Sequence, residues 1–450
     1  MPATPFDSGL YRDLFSDTDV AKLFTDSAEV RAMLLVEGAL AKAQGQHGVI
    51  PEISAAAIAR AAMEVQIDPT GLAAETGQSG VPVPALVTAF RVAMEAPEHS
   101  QYIHWGATSQ DIMDTALILR LRQVIAIYEA RLRAVLTALA ALAEAHADTP
   151  MAARTYGQLA TPTSFGAVVT GWGAPLMGPF LRLEDIRQDL LHVSLSGAAG
   201  THSVMGKQGP AVRRTLAEAL KLYDSGGAWH SNRSTITGFA AWMTQVTTAL
   251  GKMGEDLLLL TQSGINEVTL ADTGSSSTMP QKANPVAPSV LAALARHAIA
   301  LNSTLQAATL HRQQRDGAAW FTEWLTLPQL CQTLGAALKT ADQMLTGLTP
   351  NPTAMRHHID PDSTGLIYAE AMSFAFTHQM RRPDAQAVVK TLCQEAQNSG
   401  TSLIGLAKRD HPDLDTSAFT PEGQMGLAPD EARAFSVAAQ NALRKAQPEN

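Results

Sequence analysis

The stretch DTALILRLRQVIAIYEARLRAVLTALAALAEAHA, residues 114–147, decides the fold class. Leu117, Leu121, Val124, Ile125, Tyr128, Leu132, Val135, Leu139 and Leu142 recur at three- and four-residue intervals, with no Gly or Pro between them. That spacing places one apolar stripe along a single, very long helix. Similar patterns run through about 210–221, 236–263, 286–313 and 327–347. A further helix is predicted over Phe24–Gln46, starting near Asp26/Ser27 and stopped by Gly48 and Pro51. Strand-like alternation is scarce, so a doubly wound sheet is excluded. The expectation is an all-α protein: an elongated central bundle of long helices flanked by smaller helical N- and C-terminal domains. The boundaries read as 1–103, 104–348 and 349–450.

Composition agrees with that reading. The chain has 450 residues, 46% hydrophobic but only 5% aromatic, so the apolar content is small aliphatics that pack helices closely. Charged residues are 17%, against roughly 25% in an average soluble protein. So few charges suggest that part of the surface is covered by other copies of the chain. The balance of 33 basic and 42 acidic residues, net −9, and the lack of a basic run disfavour nucleic acid as a partner. Apolar stretches fall short of the roughly 18 residues that a membrane span needs. No positive region followed by an apolar run opens the sequence, and Cys331 and Cys393 have no metal-like spacing. A cytoplasmic protein with two free thiols is expected.

Four polar loops interrupt the helices and carry the unusual chemistry. His104-Trp105-Gly106-Ala107-Thr108-Ser109-Gln110-Asp111 sets two hydroxyls before a helix N-terminus; it suits a carboxylate ligand or an ordinary helix cap. Arg154-Thr155-Tyr156-Gly157-Gln158-Leu159-Ala160-Thr161-Pro162-Thr163 combines a cation, a phenol, an amide and hydroxyls, and taken alone reads better as a structural loop. Gly274-Ser275-Ser276-Ser277-Thr278-Met279-Pro280-Gln281-Lys282-Ala283-Asn284-Pro285 is unlike a plain linker, because Met-Pro-x-Lys-x-Asn-Pro follows directly on the serines. His311–Gly317 holds Arg312 and Arg315, which could clamp carboxylates or cap a solvated helix end.

The third loop resembles the GSSxMPxKxNP signature of the fumarase/aspartase superfamily. The first resembles its HxGxTSxDxxDT segment and the second its RTxxQxAxP segment, in the same order. Residues 23–44 extend the likeness towards the N-terminus. Within the superfamily the chain is most similar to bacterial 3-carboxy-cis,cis-muconate cycloisomerases, with adenylosuccinate lyase next. His146–Pro150, Gly197–Thr201 and Trp320–Trp324 support that placement.

The resemblance implies a homotetramer whose active sites each draw loops from three subunits, working without metal or organic cofactor on a small polycarboxylate. It implies addition to, or elimination from, a carbon next to a carboxylate, through an enolate-like intermediate. It assigns the catalytic serine to Ser276, with an additional Ser275 where the family has glycine. It assigns anion binding to Lys282 and Asn284, and places His104 in the site. Thr108, Ser109, Arg154, Tyr156, Gln158, Arg315, Ser275, Ser277 and Met279 become substrate contacts, with Glu267 as an acidic partner. Ala283 and Gln281 replace an Arg and a His often found in the signature.

Tyr156 is the informative departure, because many family lyases carry a catalytic histidine there. Loss of such a general acid costs on the order of 10²–10⁴-fold when an amine must leave. A carboxylate, with a pKa near 4, leaves unprotonated. Tyr156 therefore favours a cycloisomerase, which opens or closes a lactone, over adenylosuccinate lyase. Elimination of an anionic group from a substituted succinate, and a non-catalytic structural role, are the alternatives.

Overall fold

A computed structural model describes residues 4–360 and 364–445. The ends of the expected N- and C-terminal domains (1–3 and 446–450) and residues 361–363 of the latter lie outside the described residues. The fold is all-α, with 68% of the chain helical. The described residues form two compact units: those within 1–131, 182–248 and 294–339 make the first, and those within 132–181, 249–293 and 340–450 make the second.

The long helices are Asp26–Gln46, Ser109–Ala145, Ser234–Leu260, Val286–Ala307 and Gly317–Thr346. The Asp26–Gln46 helix starts where the sequence suggests: the Thr25 hydroxyl accepts the Ala28 N–H at 3.2 Å. The Ser109–Ala145 helix begins five residues earlier than periodicity indicates. Its polar first turn is held by a cap, with the Asp111 carboxylate accepting the Thr108 N–H at 3.1 Å. The Gly317–Thr346 helix begins ten residues before the predicted 327, because Pro328 lies inside the helix rather than at its first turn. Proline removes one backbone donor, a loss that a 30-residue helix packed along its length absorbs. The Val286–Ala307 helix stops short of 313, releasing the His311–Asp316 segment as a loop.

In the first unit, Tyr128, Phe239 and Trp242 stack with centroids 5.8–6.5 Å apart, and the Tyr128 hydroxyl donates to the Cys331 carbonyl at 2.6 Å. Three long helices are thereby tied at one level. Burial pushes the Cys331 thiol up to about 12, so it behaves as a small apolar residue. Cys393 is also a free thiol.

The second unit contains two features the sequence conceals. Helix Phe165–Leu181 includes Pro175 and Pro179 and several glycines, which mask its period. It is held by Trp172, whose indole N–H donates to Asp256 at 2.7 Å. Strands Pro150–Thr155 and Gln158–Ser164 pair antiparallel, where the sequence suggested only a loop. A second short pair joins Val268–Leu270 to Leu348–Pro350. Near the C-terminus, Tyr368, Met372, Phe376, Leu392, Leu403 and Phe419 close a separate apolar cluster.

Candidate active site

The predicted site residues fall into two groups, one in each unit. His104, Thr108, Ser109 and Arg315 belong to the first; Arg154, Tyr156, Gln158, Ser275, Ser276, Ser277, Met279, Lys282 and Asn284 belong to the second.

In the first unit, residues 104–111 wrap into the N-terminus of the Ser109–Ala145 helix. The buried Asp111 carboxylate organises the turn. It accepts from the N–H groups of Thr108, Ser196 and Gly197 at 2.9–3.1 Å, from the Ser194 hydroxyl at 3.3 Å, and bonds to His230 Nε2 at 2.7 Å. This pins the loop to residues 194–197. The Arg315 guanidinium donates to the Thr108 hydroxyl at 2.6 Å, so two predicted carboxylate contacts meet directly. Arg315 is itself exposed, leaving further donors of its planar fork free to reach an anion. His104 adopts φ +65°, an uncommon conformation for a residue with a Cβ, and its Nδ1 lies 2.7 Å from Glu37.

Behind the loop lies a buried ionic cluster that the sequence reading missed. Arg233 donates to Asp114 at 2.7 and 3.0 Å, and to Glu323 at 2.9 and 2.5 Å. Its guanidinium also lies 4.7 Å from the Trp229 ring centroid. Two carboxylates around one cation hold Arg233 firmly protonated against the cost of burial. The cluster locks the starts of three helices behind the Thr108 turn. His311 sits beside it with both ring nitrogens buried and without a hydrogen-bond partner among the described residues; burial, then the neighbouring Arg233, lowers its pKa, which favours the neutral ring.

In the second unit, Tyr156 and Gly157 form the two-residue tip of the hairpin, with φ of +51° and +73°. Positive φ at both central positions is the type I′ turn that matches strand twist, and Gly157 supplies one of them without strain. The tip presents Tyr156 fully exposed, with Gln158 exposed beside it. Arg154 points elsewhere. It makes a two-pronged bond to the buried Glu267 at 2.7 and 2.9 Å, and His358 Nδ1 approaches the same carboxylate at 2.9 Å. The Arg154 charge is thus matched within the unit and anchors the hairpin.

The serine-rich loop is closed at its neck. Gly274 and Asn284 exchange backbone hydrogen bonds at 2.8 and 2.9 Å. A Cβ on Gly274 would meet Val286 Cγ2 at 2.7 Å, so a larger residue there must push that side chain aside. Inside the loop, the Ser276 hydroxyl accepts from the Met279 N–H at 3.1 Å and the Thr278 N–H at 3.4 Å. Ser276 is half-buried, whereas Ser275 and Ser277 are exposed. The Met279 carbonyl accepts the Lys282 N–H at 3.0 Å, and the Lys282 side chain is exposed. An Oγ facing two N–H donors is placed where negative charge on oxygen is stabilised.

The residues missed from sequence are Glu37, Asp111 as an organiser, His230, Arg233, Glu323 and His358. One signal was present: Glu37 interrupts the apolar face of Met33, Leu34, Val36 and Leu40, where an unpaired acid would be costly.

The comparisons with known proteins agree over most of the chain. A model of the lyase family matches residues 15–299. The 3-carboxy-cis,cis-muconate cycloisomerase of Pseudomonas aeruginosa is 38% identical over 395 residues, covering 86% of this chain and 85% of its own. The nitrosuccinate lyase of Streptomyces davaonensis is 35% identical, covering 89% and 87%. Among solved structures, the 3-carboxy-cis,cis-muconate lactonizing enzyme from Pseudomonas putida superposes with a TM-score of 0.91 at 32% identity, covering 97% of this chain and all of that one.

Proposed function

We propose that this chain, which belongs to the fumarase/aspartase superfamily of lyases, is a cycloisomerase interconverting 3-carboxy-cis,cis-muconate and a carboxymuconolactone. The carrying observation is Tyr156 at the hairpin tip, in a chain alike over most of its length to cycloisomerases. A phenol there suits a leaving group that departs as an anion. In the lactonising direction, a carboxylate oxygen of the substrate adds to an alkene carbon and forms the C–O bond. The displaced electron pair moves onto the neighbouring carboxylate as an enolate. Ser276 then delivers a proton to the carbon α to that carboxylate, and takes it back in the reverse direction. Lys282, Asn284, Arg315, Thr108 and Ser109 hold the carboxylates, with Gln158, Ser275, Ser277 and Met279 lining the site. Arg154 orients the hairpin. In this reading the reaction belongs to aromatic catabolism by the protocatechuate/β-ketoadipate route, in the cytoplasm.

We also propose that the working enzyme is a homotetramer with each site shared between three subunits. Its support is apolar exposure: Leu325 is 71% and Ile299 53% exposed on long helices, and Tyr156 projects from its unit. The segments 1–103, 104–348 and 349–450 are proposed as its domains.

The test is loss of diene absorbance on adding 3-carboxy-cis,cis-muconate to purified tetramer. No decay above background overturns the reading. A second reading is favoured by the likeness to nitrosuccinate lyase. Elimination from nitrosuccinate expels nitrite, which also leaves without a proton. Fumarate released from nitrosuccinate, with the muconate inert, selects it.

A further inference from the structure

The loop 104–111 is held by two carboxylate–imidazole pairs that differ in how far they are completed. Asp111 with His230 is closed: the carboxylate is surrounded by donors, and the His230 side chain is almost wholly buried. Glu37 with His104 is open. The Glu37 carboxylate is buried in the apolar interior, and its Oε1 meets His104 Nδ1 at 2.7 Å. Its Oε2 is buried with no hydrogen-bond partner among the described residues. The His104 ring is partly exposed, and no hydrogen bond joins its Nε2 to the described residues. A carboxylate in the interior with one oxygen unsatisfied is costly, and a charged partner offsets that cost. His104 takes φ +65°, a conformation that persists only where surrounding contacts hold it.

We propose that Glu37 is a positioning residue for the reaction: by engaging Nδ1 it fixes the His104 imidazolium with Nε2–H outward, as a charged donor to one carboxylate of the substrate. The proposal rests on the reading that the site takes a polycarboxylate. The charged groups facing the ring are Glu37 from its own helix, Asp111 from the helix behind it and Arg91 from the Val83–Met94 helix. Burial lowers the His104 pKa and Arg91 opposes charging, but Glu37 and then Asp111 outweigh both, so the net direction is upward. A raised histidine pKa keeps the cation present below it and loses it as pH rises through it.

The experiment uses the full-length oligomer with ¹³C-labelled histidine, assigned with His104→Gln, and with citrate as a saturated tricarboxylate probe. His104 should titrate above an ordinary histidine in the unaltered protein, and Glu37→Gln should lower that midpoint by at least one unit. At pH 8 the variant should bind citrate at least tenfold more weakly, and with turnover measurable its KM should rise tenfold while kcat changes less than threefold. Glu37→Asp, which keeps the charge but retracts it, should give an intermediate midpoint. An ordinary or low His104 midpoint in the unaltered protein overturns the proposal even if neither Glu37 variant assembles. So does an unchanged midpoint in Glu37→Gln. A normal midpoint shift with citrate bound but muconate inert counts instead against the cycloisomerase reading, and leaves the pair standing.

Discussion

Replacing Ser276 by Ala separates a chemical role from a structural one, because the two predict different magnitudes. In the resting loop the Ser276 hydroxyl accepts two backbone N–H bonds, at 3.1 and 3.4 Å. Losing such bonds in a partly solvated turn costs about 1 kcal/mol. If all of that fell on the population of the competent loop, the rate would drop about fivefold, since 1.4 kcal/mol is about tenfold. If Ser276 carries the proton to the α-carbon as proposed, its removal costs on the order of 10²–10⁴-fold in kcat. Initial rates of diene loss distinguish fivefold from a hundredfold without ambiguity. Isothermal titration with citrate should show binding within about threefold of the unaltered protein, since the carboxylate contacts remain. Ser275→Ala is the control: Ser275 is exposed and should change kcat less than fivefold. A Ser276→Ala enzyme retaining a fifth or more of its turnover refutes the assignment, and a hundredfold loss in Ser275→Ala instead moves the role one residue upstream.

Arg233→Met should destabilise the protein by about 3–5 kcal/mol, because it strands two buried carboxylates. With the cation gone, Asp114 and Glu323 would take up protons more readily folded than unfolded, so the loss should shrink as pH falls; thermal unfolding at pH 5.5 and 8 checks both, and a loss under about 1 kcal/mol contradicts the ionic reading. Gly274→Ala should leave thermal stability nearly unchanged but cut turnover at least tenfold, because its Cβ would force Val286 away from the loop neck; an unaffected rate would show that the neck need not close.

The helices were legible because their signal is local. Residues 114–147 repeat one apolar stripe over many turns, and the Asp26–Gln46 helix carries its cap and stop in the sequence. The misreadings arise where local rules compete. Pro328 reads as a first-turn proline but lies inside a helix that packing holds together. Phe165–Leu181 carries two prolines and is stabilised by Trp172 and Asp256, which lie 84 positions apart. The hairpin escaped notice because its I′ turn uses Tyr-Gly instead of the usual Asn-Gly. In the site, the loops with dense polar motifs were readable. The residues that hold them were not, since Glu37 lies 67 positions from His104 and Arg233 lies 119 from Asp114. Sequence spacing does not report pairings that only the tertiary fold creates.

Those long-range pairings also resolve a tension in the composition. A net charge of −9 is a poor attractant for a polyanionic substrate. Yet Glu37, Asp111, Asp114, Glu267 and Glu323 are all buried, each against a histidine or an arginine. Negative charge is spent inside, where it orients the polar loops, while Lys282 and Arg315 remain exposed. On the proposed reading, the field a substrate meets is set by such exposed cations and not by the sum over the chain. On that reading an acidic protein discriminates among polycarboxylates by geometry. The spacing of fixed donors, rather than long-range attraction, decides which carboxylates can be satisfied together.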